Sequence, residues 1–308
     1  AEFQAHAFAA LEAALQRFEG GVPAKLILDQ GDLAAAAERA ASTHAGTLDA
    51  FRLAAANITK FHELQRQPAF SADVAGNELG VRFVPFDRVA LYVPGGKALY
   101  PSTVLMGVIP ARIAGVQDIT VLTPPDPVTG SVPDIVLAMA HAAGATRVLQ
   151  AGGAQAIFAA AYGIPELNLQ PADFIYGPGN VYVSAAKIHV AGQNRCGIDS
   201  FAGPSEVIVI ADDTANARFV AHDLMAQAEH DENAQAILLT TSSVLGERVG
   251  VEIERSLAAR SDDEKRKQIT LDAIRRNGRI ASRVVCLRFS SSLRAASERK
   301  AQTDYPRR

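Results

Sequence analysis

The chain has 308 residues, 48% hydrophobic and 20% charged, the proportions of a folded globular protein with room for about two domains. A formal net charge of −3 gives no overall pull toward nucleic acid or anionic membrane, and 23 glycines without a three-residue period exclude a collagen. Two cysteines, Cys196 and Cys286, are too few for a disulfide framework or a Cys-based zinc site, and no run of about 18 apolar residues or basic-then-apolar leader is visible, so a reducing, cytoplasmic setting is expected.

The first 65 residues are Ala-rich and helical in pattern. Phe8, Leu11, Ala14, Leu15 and Phe18 recur at three- and four-residue steps, with Phe3 five residues ahead, until Gly20-Gly21 stops the run. Asp32 is placed to cap a second helix, and a third is expected over 47–65. These helices are expected to pack on the remainder of the chain rather than to bind a ligand themselves. From about residue 80 strands and helices alternate. VRFVPF (81–86) and VALYVP (89–94) read as strands around Asp87-Arg88, followed by a helix over 102–114 and strand DITVLT (118–123). Helix 134–143, strand 147–150, helix 154–162, strand 173–177 and helix 180–191 continue the rhythm. Strand 206–212, helix 215–229, strand 236–241 and helix 243–259 complete it. Short apolar strands between amphipathic helices predict an α/β fold, with largely parallel sheets in two layers, covered on both faces, behind an N-terminal helical segment.

The charge is uneven. Residues 281–308 carry Arg283, Arg288, Arg294, Arg299, Lys300, Arg307 and Arg308 against Glu298 and Asp304, a local net of +5 that leaves −8 for residues 1–280. Apart from the apolar pair Val284-Val285 this stretch has no periodicity and is expected to be a disordered basic tail.

Four glycine turns follow strands: PGGK (94–97), GGAQ (152–155), GPGN (177–180) and AGPSE (202–206). Each falls where the carboxyl end of a strand meets a helix start, the usual ligand position in open α/β sheets. Any one could simply be a tight turn that needs glycine, and none matches G-x-G-x-x-G. Four on one edge, tipped by Gln155, Asn180 and Ser205, make that edge a candidate site. In QAEHDENAQ, Gln227 and His230 are three apart near a helix end, so both could face one metal ion. Two ligands alone fall short of a four-coordinate zinc site, and a helix-end His could equally be a surface group. Glu229 and His230 diverge by about 100° on a helix and do not form an acid/base pair. The remaining histidines, His6, His44, His62, His141, His189 and His222, show no partner spacing. Cys196 reads as a buried small residue beside Gly197, and Lys187 has no charge partner identifiable from sequence.

Taken in order, VALYVPGGKALYPSTVLMGVIPARIAGV, AGGAQAIFAAAYG, FIYGPGNVYVSAAK, GIDSFAGPSEVIVIAD and DLMAQAEHD resemble histidinol dehydrogenase, over about Phe51 to Ile280. The resemblance implies two Rossmann-like layers in an aldehyde/histidinol dehydrogenase-like fold. It divides the chain into a discontinuous first domain (1–91 plus 207–280), an NAD-side domain (92–206) and the tail (281–308), expected to match nothing in the family. It implies an NAD-linked, zinc-dependent enzyme of histidine biosynthesis that oxidises L-histidinol through histidinal to L-histidine as a homodimer, with neither nucleic acid nor membrane as partner. By position, Tyr92, Gln155 and Asn180 match NAD contacts, Ser205 a substrate contact, and Gln227 and His230 zinc ligands that also neighbour the substrate. The family's catalytic Glu-His pair, in a Pro-Glu-His-Leu segment, has no counterpart here, so no catalytic residue is assigned and a truncated or frameshifted homologue is expected. Two alternatives stay open: a remnant that binds NAD or a partner without turnover, and a related zinc/NAD alcohol dehydrogenase for another amino alcohol.

Overall fold

A computed structural model describes residues 6–95, 99–200, 206–229, 234–259, 264–277, 279–282 and 285–288, with side chains through Ile274 except 264–266. Contacts divide the chain into two compact units, Ala1–Ala202 and Gly203–Arg308.

In the first unit, helix α1 (Ala7–Phe18) leads to a two-residue strand β1 (Ile27–Leu28) and then to α2 (Gln30–Thr43) and α3 (Ala45–Glu63). Asp29 caps α2, and Asp32, expected to be the cap, instead returns the bond: its carboxylate accepts from the Asp29 N–H at 2.8 Å while Asp29 accepts from Gly31 and Asp32. A hairpin of β2 (Phe70–Val74) and β3 (Asn77–Val81) comes next, every residue of both strands exposed. The turn between them places Ala75 and Gly76 at φ 55° and 79°, the left-handed pair that a tight hairpin needs. The strand expected over 81–86 is not formed. Only Val81 belongs to β3; Pro85 has no N–H to donate, and the Phe86 ring instead stacks on Phe174 at 5.0 Å.

Beyond residue 87 the alternation is as expected from the sequence. The elements are β4 (Arg88–Tyr92), α4 (Pro101–Ala114), β5 (Asp118–Thr123), α5 (Asp134–Ala143), β6 (Arg147–Gln150), α6 (Gly153–Tyr162), β7 (Phe174–Tyr176), α7 (Val181–Gly192) and β8 (Gly197–Ile198). The sheet order is β1-β6-β5-β4-β7-β8, parallel throughout except for β1. Because side chains alternate along a strand, β4 feeds both faces of the sheet. Val89, Leu91 and Val93 join α2, α3, α4 and α5 through Leu33, Leu48, Leu105 and Val136. Ala90 and Tyr92 join α1, α6 and α7 through Leu11, Leu15, Ile157 and Val183. That double burial is why VALYV is uninterrupted by polar residues.

Within the first unit α1, α2 and α3 bury their apolar stripes on the six-stranded sheet.

The second unit holds β9 (Glu206–Ala211), α8 (Ala217–Ala228), β10 (Gln235–Thr240), α9 (Ser243–Ala259), α10 (Glu264–Asn277), β11 (Arg279–Ser282) and β12 (Val285–Arg288). Its sheet runs β12-β11-β10-β9, with only the β11–β12 pair antiparallel. Leu224, Met225, Leu238, Val249 and Ile253 form its core. Ile208 and Ile210 on β9 stay exposed, in contrast to the expectation of covered faces. Residues 279–282 and 285–288 pair as strands, Ile280 opposite Leu287. Residues 289–308 lie outside the described residues. Among the described residues no helix is long and apolar enough to cross a membrane.

Candidate functional site

The strand order places a reversal between β4 and β7. From β4 the chain steps outward through β5 and β6, then returns to the other side of β4 for β7 and β8. In open α/β sheets a crevice forms at the carboxyl ends of the strands at such a reversal, because the flanking connections leave in opposite directions.

Tyr92 ends β4 at this point. Its even register sends the ring to the α6 side, where it is 4% exposed and its hydroxyl accepts from the Gly153 N–H at 3.0 Å. Burial, with the Glu19 carboxyl nearby, pushes the phenol above its ordinary range, against the opposing effect of the Gly153 bond, so it stays a neutral hydroxyl. Gln155, two residues into the same turn, donates from Nε2 to Glu19 Oε1 at 2.7 Å, and the Gly152 N–H donates to the same oxygen at 2.8 Å. The structure therefore brings Tyr92 and Gln155 together through the Gly152-Gly153 turn. Glu19 is the residue that the sequence did not reveal. It stands at the C-cap of α1, where the helix dipole disfavours an acid, and that misplaced charge is the one local signal it offers. Its second oxygen, Oε2, is buried without a hydrogen-bond partner.

The turn after β7 approaches the same strand end. Gly177 has φ 109°, and a Cβ there would overlap the Tyr92 carbonyl oxygen, so only glycine lets the two backbones pass this closely. Asn180 sits at the start of α7. Its Oδ1 accepts from Tyr182 and Val183 N–H at 3.1 Å each, which commits the carbonyl to capping the helix; the exposed residue turns no donor of its amide to that task. Lys187 does have a charge partner, Asp199, and the pair ties down Gly177 from below. Cys196 is half-buried, and burial raises its thiol to about 11, so it is not a reactive thiolate near neutral pH.

Gln227 lies half-buried in the last turn of α8, which ends at Ala228. Ser205 and His230 lie outside the described residues. Among the described residues no three His, Cys, Asp or Glu side chains come together, so those residues do not make a zinc site. The edge at the carboxyl ends of β4 and β6 is different. The Tyr92 hydroxyl, the Gln155 amide and the Glu19 carboxyl meet around the Gly152-Gly153 turn, and Asn180 starts the helix that follows β7, so polar hydrogen-bonding groups line the carboxyl ends of these strands.

The largely parallel sheet and its glycine-lined reversal define a doubly wound α/β layer. The histidinol dehydrogenase family profile matches residues 1–292, and the chain belongs to that family. The match continues past Ile280, the expected end of the resemblance. Histidinol dehydrogenase from Leptospira interrogans serogroup Icterohaemorrhagiae serovar Lai is 47% identical over 227 residues, 74% of this chain and 52% of that protein. The Synechococcus sp. enzyme is 50% identical over 235 residues, 75% of this chain and 51% of that protein. The crystal structure of histidinol dehydrogenase from Elizabethkingia anophelis superposes with a TM-score of 0.81 at 36% identity, covering 91% of this chain and 62% of that one. The chain spans about half the length of the curated relatives it matches.

Proposed function

We propose that this chain supplies the NAD side of an oxidoreductase that converts L-histidinol, through histidinal, to L-histidine in histidine biosynthesis. The observation that carries this reading is the joining of Tyr92 and Gln155 by one glycine turn at the carboxyl ends of parallel strands, beside the sheet reversal. Tyr92, Gln155 and Asn180 would hold NAD, which when bound accepts the hydride removed from an alcohol carbon. The chain's own contribution is binding and orientation, through the neutral side chains of Tyr92, Gln155 and Asn180.

The same reading places the substrate against Ser205, Gln227 and His230, with Gln227 and His230 also facing zinc. The described residues supply only Gln227 of that set, and no step is derived through the metal. The protein is further taken to act as a homodimer in the cytoplasm, on a small-molecule substrate, with no nucleic-acid or membrane partner.

Calorimetric titration with NAD tests the nucleotide assignment. Saturable binding is expected, weakened about tenfold by Gln155→Ala through loss of one or two hydrogen bonds. Absence of binding, or unchanged affinity in that variant, overturns it. Incubation with L-histidinol, NAD and zinc, followed by NADH absorbance, tests the reaction. Preferential oxidation of another amino alcohol overturns the substrate, and NAD binding without NADH formation selects the non-catalytic alternative.

A further inference from the structure

The Glu19–Gln155 bond joins side chains 136 residues apart and reaches a residue in the nucleotide edge. We propose that Glu19 is a positioning residue: from the end of α1 it orients the Gln155 amide so that Oε1 of Gln155 is presented to a hydrogen-bond donor on the nucleotide, such as a ribose hydroxyl. The proposal rests on the reading of this edge as the NAD site.

Three observations support it. Glu19 Oε1 already accepts from two N–H groups, Gly152 N at 2.8 Å and Gln155 Nε2 at 2.7 Å. An oxygen so engaged can only receive, which fixes Nε2 of Gln155 toward Glu19 and turns the amide carbonyl away from it. A glutamine has several rotatable bonds, and holding it in one orientation before ligand arrives removes part of the ordering cost from the binding step. An acid at this place is also poorly suited to a purely packing role. It sits at a helix C-terminus, where negative charge is disfavoured, and one carboxyl oxygen is buried without a partner.

The turn geometry reinforces the point. The Gly153 N–H, one residue from the Glu19 contact, is held by the Tyr92 hydroxyl at 3.0 Å. The two side chains take neighbouring N–H groups at the start of α6, an arrangement that would otherwise invite an anion. The start of α6 is thus filled by the protein's own groups, and the ligand part that lies beside it is uncharged.

The test is a set of NAD titrations on the full chain. Glu19→Met keeps apolar bulk and removes the acceptor; Glu19→Ala removes both. Each is expected to weaken NAD about tenfold, whereas Glu19→Gln, whose amide oxygen can accept the same two bonds, stays within about threefold of the parent. Gln155→Ala weakens NAD to a similar extent, and the double variant Glu19→Met/Gln155→Ala shows no further loss, because one residue acts through the other. Thermal unfolding of every variant establishes that it folds, and Glu19→Met is read if Glu19→Ala does not. Parent-like affinity in Glu19→Met, failure of Glu19→Gln to restore binding, or losses that multiply in the double variant each overturn the proposal while leaving the NAD reading intact. A parent chain that binds no NAD overturns both.

Discussion

Lys187 and Asp199 form an ion pair beneath the turn that closes β7, and both also bind Gly177: Lys187 Nζ donates to its carbonyl at 3.0 Å, and Asp199 Oδ2 accepts its N–H at 2.8 Å. Lys187 is 4% exposed, so these two acceptors stand in for the water its side chain loses. Removing one partner of a buried pair typically costs about 3–5 kcal/mol, and the Asp199 side chain retains 32% exposure, which puts the expectation at the lower end. Lys187→Met is expected to lose about 3 kcal/mol in urea unfolding of the full chain. A loss below about 1 kcal/mol would show that the pair contributes little.

Gly177→Ala should destabilise through the backbone alone. Its φ of 109° suits only glycine, and the added methyl would overlap the Tyr92 carbonyl. A non-glycine residue held in such a region costs about 1–3 kcal/mol, with the overlap added. A lowered thermal midpoint is expected, accompanied by weaker NAD binding because the Asn180 turn moves with it. A parent-like midpoint contradicts the close approach.

Glu19 also gives a pH signature. Burial is the main cause that raises its carboxyl above the ordinary 4.5, opposed in part by the bonds from Gly152 and Gln155. The fold thus favours the protonated form. Its contribution is fully present below the ordinary glutamate range and is lost as pH rises through the raised value. The thermal midpoint of the parent minus that of Glu19→Gln should fall as pH rises above the ordinary glutamate value of 4.5. A difference that rises with pH would mean that the carboxylate, not the acid, is the stabilised form.

Leu149 offers a plain packing test. It is fully buried in β6 on the face shared with α1 and α6. Leu149→Ala should cost about 2–5 kcal/mol, the range for truncating a core leucine that leaves a cavity. An effect under about 1 kcal/mol would mean that the α1 face closes over the gap.

The parts of the molecule that could be read from sequence are those whose signal is local. DITVLT and the apolar run before Gly144 give β5 and α5 to the residue, because apolar period and glycine stop coincide. Gln155 and Asn180 could be marked as tips of a candidate edge because each lies a short glycine turn from a strand end, whereas Tyr92, inside its strand, is reached only through the family resemblance. The β2–β3 hairpin escaped since its turn is Ala75-Gly76; alanine with positive φ lacks the Asn or Asp that marks such turns. Glu19 and the Lys187–Asp199 pair escaped for another reason. Their partners are set by how helices dock on the sheet, and a spacing of 136 residues leaves no trace in local composition.

Strand β1 is only two residues long, yet it lies antiparallel against β6, and the Lys25 and Leu26 carbonyls accept from the Gln150 side chain and main chain at 2.8 and 2.9 Å. A parallel sheet that ended at β6 would offer an open row of amides to any other strand it met. By reversing direction at this border, the short segment before α2 closes the outermost ladder and keeps like sheets from adding to it, so the chain carries in Lys25–Leu28 its own guard against polymerisation.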